Sequence, residues 1–230
     1  MGLYAIGDLH LSFKKEKTMD KFGENWVNHD KKIQKNWIET VKEEDTIVLL
    51  GDTSWAVHLE DVRPDLEWIS SLEGKKIVVN GNHDYWWSST SRLQKEFPNF
   101  LFLKNDFTVY KTTALCASRG WLCPNDTYYT PNDLKIYNRE QMRLKLSINR
   151  AVQAGYETII LFLHFPPTND KKENSGFMEI IKQYPQIKKV VYAHLHGKDS
   201  FDASIKGVHE NIEYFLVSSD YLDFKPKRIL

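Results

Sequence analysis

Apolar residues gather in five short runs along the chain: "LYAIGD" (3–8), "TIVLLGD" (46–52), "KIVVNGN" (76–82), "TIILFLH" (158–164) and "KVVYAHLH" (189–196). Each is rich in β-branched side chains and lacks polar alternation, the pattern of a strand buried on both faces. Between them, "HDKKIQKNWIETVKEE" (29–44), "LEDVRPDLEWISSL" (59–72) and "NREQMRLKLSINRAVQAG" (138–155) place apolar residues at helical spacing, the last with Gly155 as a stop. Strands alternating with helices predict an α/β architecture. Residues 100–123 lack helical periodicity and read as adjacent shorter strands with turns, and residues 209–230 again look extended; together they suggest a second sheet packed on the first. No repeat, low-complexity tract or linker interrupts residues 1–230, so a single domain is expected.

Composition narrows the class of partner. The 31 Lys and Arg balance the 31 Asp and Glu, so no global field favours nucleic acid or an acidic membrane. No run approaches the roughly 18 apolar residues of a membrane helix. The start "MGLYAIGDLHL" has no charged region ahead of its apolar residues, and Ile6 stands where a myristoylation signal prefers Ser or Thr. The expectation is a soluble, cytoplasmic protein with no membrane partner. Cys116 and Cys123 are separated by six residues, which fits neither a zinc knuckle nor a redox pair and predicts two reduced thiols.

Chemistry collects at one end of the apolar runs. Asp8 and His10 follow the first, Asp52 the second, Asn82, His83 and Asp84 the third, His164 the fourth, and His194 with His196 the fifth. In α/β sheets ligands bind at the carboxyl ends of strands, where loops converge on a rigid base. Taken singly, each residue has an ordinary reading: a strand-terminal Asp is commonly a cap, His164 a loop histidine, and Asn82 and Asp84 turn formers. His194 and His196 would share one face of an extended strand. Joint occurrence at the same edge of five successive strands outweighs these readings. Oxygen and imidazole donors without thiolate suit Mn²⁺, Fe or Zn²⁺, and seven of them exceed the needs of one tetrahedral ion, which suggests two metals.

The ordered set "GDLH" (7–10), "GD" (51–52), "GNHD" (81–84), "LHFPP" (163–167) and "AHLH" (193–196) resembles the signature of the calcineurin-like metallophosphoesterases. That signature is an Asp-x-His, a Gly-Asp, a Gly-Asn-His-Asp/Glu, a lone His and a Gly-His-x-His, in this order. The resemblance implies a four-layer αββα sandwich, two packed mixed sheets flanked by helices. It also implies one metal on Asp8, His10, Asp52 and His196, and another on Asp52, Asn82, His164 and His194, with Asp52 bridging. A carboxylate has two oxygens for two cations, and such a pair can activate water and clamp a phosphate. His83 would face the leaving-group oxygen as general acid or transition-state donor, with Asp84 orienting its ring. Two departures stand out: "GDTSWAVHLED" (51–61) lacks the second Asp and phosphate-contacting Arg common after the family's Gly-Asp, and Ala193 replaces a Gly. The strings "GDTSW", "GNHDYWW", "RGWLCPND", "HFPPTND" and "HLHG" further resemble a group of bacterial predicted phosphohydrolases.

Arg119 is the candidate to replace the missing clamp, since a guanidinium can bind two phosphate oxygens at once; a surface role is the alternative. Trp55, Tyr85, Trp86, Trp87 and Trp121 cluster near the motif loops, either to wall the site or to pack the core. The polar segments 22–30 and 166–176 would form a rim. The expected function is a dinuclear metal-dependent phosphoesterase cleaving a small phosphoester by attack of metal-bound hydroxide. Mn²⁺ is the first choice of ion, with Fe or Zn²⁺ as alternatives. Competing readings are a phosphodiesterase or nuclease, disfavoured by the neutral charge, and a non-catalytic binding module, disfavoured because every ligand position is filled.

Overall fold

The computed structural model describes residues 1–14, 19–124 and 129–230. In chain order it contains β1 (Leu3–Ile6), α1 (His29–Thr40), β2 (Thr46–Leu50), α2 (Arg63–Ser71), β3 (Lys75–Val79), α3 (Thr90–Glu96) and β4 (Phe100–Phe102). There follow β5 (Asp106–Tyr110), β6 (Thr113–Ser118), α4 (Pro131–Gln153), β7 (Ile159–Leu163), α5 (Gly176–Lys182), β8 (Ile187–Tyr192), α6 (Lys198–Asp202), β9 (Gly207–His209), β10 (Ile212–Leu216) and β11 (Lys227–Arg228). The result is the expected α/β class, two mixed sheets flanked by helices, divided between two compact units.

The first unit comprises residues 1–102 and 217–230. Its sheet runs β11-β1-β2-β3-β4, with β1 to β4 parallel and β11 antiparallel at the edge. Each parallel step needs a crossover, which α1, α2 and α3 provide. Ile33 and Trp37 of α1, Leu66 and Ile69 of α2 and Leu93 of α3 share a core with Ile6, Ile47, Leu49 and Val78. Ala5 and Val48, on the opposite strand faces, are buried as well, which explains why these strands read as continuous apolar runs.

The second unit comprises residues 103–216. Its sheet runs β5-β6-β7-β8-β10-β9; β6, β7, β8 and β10 are parallel and the outer pairs antiparallel. Leu144, Ile148 and Ala151 of α4 and Phe177, Ile180 and Ile181 of α5 pack with Cys116, Leu161 and Val190. The five runs are therefore not five successive strands of one sheet edge: β1, β2 and β3 belong to one sheet, β7 and β8 to another. The antiparallel β5–β6 hairpin starts the second sheet, a partnership that apolar periodicity does not encode. Cys116 and Cys123 are both free and buried, and burial pushes the Cys116 thiol up to about 12. No helix among the described residues is long and apolar enough to cross a membrane.

Candidate functional site

In the first unit β1, β2 and β3 are adjacent and parallel, so the loops that follow them leave one edge together. Asp8 and His10 lie on the first loop, Asp52 on the second, and Asn82, His83 and Asp84 on the third. The first two loops stay laced after the strands end. The Asp8 amide donates to the Gly51 carbonyl at 2.9 Å, the His10 amide to the Asp52 carbonyl at 2.9 Å, and the Leu11 amide to the Thr53 carbonyl at 3.1 Å. Asp8, His10 and Asp52 all adopt left-handed backbone, with φ of 56°, 47° and 48°. This region costs an L-residue roughly 1–2 kcal/mol. Four of the twelve described non-glycine residues with positive φ are predicted ligands, His194 at 73° being the fourth. Such clustering of strain is characteristic of sites where geometry outranks local stability.

Asp84 joins the second loop to the third. It is 5% exposed, and its Oδ1 accepts from the amides of Thr53 at 2.9 Å and Ser54 at 3.3 Å and from the Trp86 indole at 3.0 Å. Its Oδ2 accepts from the Gly81 amide at 2.8 Å. These bonds give Asp84 a part in positioning the loops themselves. Asp52 Oδ1 accepts from the His83 amide at 2.8 Å. The loops approach so closely at Gly81 that an added Cβ would overlap the Asp52 carboxylate oxygen and amide nitrogen and lie 2.8 Å from Cγ, so only glycine fits.

Asp8 and Asp52 are both buried carboxylates on laced loops. Ionised carboxyls out of water need compensating positive charge, and two carboxylates with an imidazole and an amide oxygen form a donor set suited to a hard or borderline divalent ion. His10 stacks on Trp55 with centroids 4.7 Å apart and planes at 19°, and Trp55 lies 4.6 Å from His83. Trp26 meets His10 edge-on at 5.9 Å and is buried, so part of the 22–30 segment supports the ligand from within instead of forming a rim. Trp86 is likewise core, packed with Trp87 and Phe102, while Tyr85 stays 63% exposed, 6.1 Å from His83.

In the second unit His164 is the first residue after β7, fully buried, and its carbonyl accepts from the Ala193 amide at 3.0 Å. The His164 and His194 rings meet edge-to-face at 5.1 Å, and the Phe165 ring lies 4.0 Å from His194. β8 ends at Tyr192, so His194 and His196 lie in the loop beyond it. The expectation that strand alternation aligns them is corrected: the left-handed backbone at His194 breaks the extended pattern.

Arg119 directly follows β6, and its carbonyl accepts from the Phe165 amide at 3.0 Å. Its guanidinium lies 4.4 Å over Trp121 and 3.5 Å from Oε1 of Glu140, a 1%-exposed carboxylate that also pairs with Arg143 at 2.6 Å and Arg139 at 3.6 Å. Trp121 is anchored through its indole to Asp133 at 2.9 Å, and Asp133 closes the capping box of α4 with Thr130. Sequence reasoning missed Glu140, Asp133 and Phe165. The string "TPND" (130–133), a capping box with proline at the first helical position, was the available signal for the start of α4. Asn125 and Asp126 of "RGWLCPND" lie outside the described residues.

These loops carry the donors of a metal-dependent phosphoesterase, and the chain belongs to the calcineurin-like phosphoesterase family, whose model matches residues 1–198. Among individual proteins, the Gene 66 protein of Mycobacterium phage L5 is 32% identical over 81 residues, which cover 35% of this chain and 39% of that protein; the match thus spans about two fifths of the relative's length. The crystal structure of TT1561 of Thermus thermophilus shares the fold, with a TM-score of 0.55 and 13% identity over 85% of this chain and 82% of that one. AQ665 of Aquifex aeolicus, a protein of unknown function, aligns over 99% of this chain and 95% of its own at 19% identity and a TM-score of 0.49.

Proposed function

We propose that residues 1–230 act as one catalytic domain, a dinuclear metal-dependent phosphoesterase that hydrolyses a small phosphoester. The observation that carries this reading is the left-handed backbone at Asp8, His10, Asp52 and His194, four predicted ligands held in costly conformations just past strand ends. Asp8, His10, Asp52 and His196 would hold one ion, and Asp52, Asn82, His164 and His194 the other, with Mn²⁺ the ion that suits these donors first. Bound there, the two ions supply an activated water and offset charge on the phosphoryl oxygens.

The chain's own groups do the rest. Asp52 is fixed by the His83 amide, so its carboxylate keeps one orientation. His83 is fixed at its backbone by the same bond and flanked by Trp55, and a protonated ring nitrogen gives its proton to the departing oxygen. Asp84 acts through the loop backbones it ties together. Trp55 covers His10 and excludes water from that side. A small substrate is favoured over nucleic acid by the balanced charge of the chain.

The test is Asp52→Ala and Asn82→Ala, each compared with the parent protein for bound metal and for Mn²⁺-dependent hydrolysis of p-nitrophenyl phosphate. Both variants should lose both properties. Metal-dependent turnover retained at equal folded concentration overturns the assignment.

A further inference from the structure

A cavity of about 250 Å³ opens in the second unit against His194, walled by Leu122, Cys123, Phe165, Leu195 and Ala203, with Thr168 among its polar residues. We infer that this cavity receives the leaving group of the substrate, and that this group is a single apolar six-membered ring. The inference rests on the phosphoesterase reading for its placement beside a metal ligand, and on the cavity itself for its chemistry.

Size comes first. An apolar cavity of about 150 Å³ is enough to bind benzene. The space beside His194 therefore holds one ring and a substituent, but not a nucleoside with its sugar. Wall chemistry comes second: aliphatic, thiol and aromatic surfaces favour an apolar ring over a charged or polyhydroxylated group. Phe165 forms a wall of the cavity and packs at 4.0 Å on the His194 ring, so the same side chain touches both the ring's compartment and the candidate ligand.

The experiment compares benzyl phosphate with ethyl phosphate on the Mn²⁺-loaded protein, two esters whose alcohols are similar leaving groups, and measures benzyl alcohol binding separately by NMR titration. Benzyl phosphate should be favoured at least about tenfold in kcat/KM. Ala203→Phe, which fills the cavity, should erase the preference and the binding of benzyl alcohol. Equal use of benzyl and ethyl phosphate, unaltered by Ala203→Phe, overturns the inference and leaves the phosphoesterase reading standing. Binding of benzyl alcohol that Ala203→Phe abolishes, with neither ester cleaved, overturns the phosphoesterase reading and keeps the cavity's chemistry. Neither binding nor cleavage overturns both.

Discussion

In the first unit, the loops after β2 and β3 are stitched together by hydrogen bonds to one buried carboxylate, Asp84, and the loop after β1 is laced to its neighbour through the backbone. In the second, the start of the loop after β7 and the loop after β8 meet through rings, Phe165 against His194, His164 against His194, and Trp121 near Phe165, while Asn169 ties the rest of the β7 loop by hydrogen bonds. The contrast follows from the donors each unit presents. Carboxylate and amide ligands have flexible torsions and little surface to pack, so directional bonds must fix their backbone. Imidazoles are flat and can be held by contact with other flat groups. The first arrangement concentrates its stability in few atoms, whereas the second spreads it over many contacts.

Removing Asp84 should expose that concentration. Asp84→Ala leaves three backbone amides and an indole without their acceptor. A buried unsatisfied donor costs about 1–3 kcal/mol, and relaxation recovers part of this, so the expected loss is about 4 kcal/mol in urea unfolding. Metal binding should fall with it, since Gly81 and Thr53 carry Asn82 and Asp52 as neighbours. A loss below about 1 kcal/mol would mean that the loops hold their shape without Asp84.

Phe165→Leu is the matching test in the second unit. It removes a ring face but keeps an apolar side chain of moderate size, and the expected cost is about 1.5 kcal/mol. Its larger effect should be on metal affinity, about tenfold, because a side chain supporting a ligand typically matters by that much. If Phe165→Leu proves as destabilising as Asp84→Ala, the proposed division between concentrated and spread support fails.

Much of this is legible in the amino-acid sequence. Each of the five apolar runs contains a strand that begins within two residues of the run's first residue and ends one to four residues before its last, because strands buried on both faces have no polar alternation to confuse the pattern while the polar residues closing each run belong to loops. The candidate donors could be named because each directly follows such a run. What was not legible was tertiary partnership. Nothing local in "FLFLKNDFTVY" (100–110) says that Phe100–Phe102 pairs with β3 while Asp106–Tyr110 begins another sheet. Nor does "NHD" (82–84) reveal that its aspartate is bonded to the β2 loop, since those partners lie about thirty residues earlier in the chain. Arg119 stands out in the sequence as a guanidinium in a turn, but its ion pair depends on Glu140, which only the packing of α4 brings to it.

Titration offers the mildest probe of the two units. In the second, the Thr130 hydroxyl holds the Asp133 carboxyl below its ordinary value, helped by the Trp121 indole and the Thr130 amide against the opposing effect of burial. In the first, burial pushes Asp65 up, and the bonds it accepts from Ser54 and the Phe13 amide do not overcome this. The signs are opposite. A depressed carboxyl contributes stability above the unfolded value of about 3.9 and loses it as pH falls through the folded value. A raised carboxyl penalises the folded state once it ionises, so its penalty is relieved as pH falls. Measured against Asp133→Asn, the parent protein should therefore lose relative stability between neutral pH and about pH 3, and measured against Asp65→Asn it should gain. Urea unfolding at four or five pH values in that range decides the matter. Parallel slopes for the two comparisons would show that the Thr130–Asp133 cap and the buried Asp65 do not differ in the way their surroundings require.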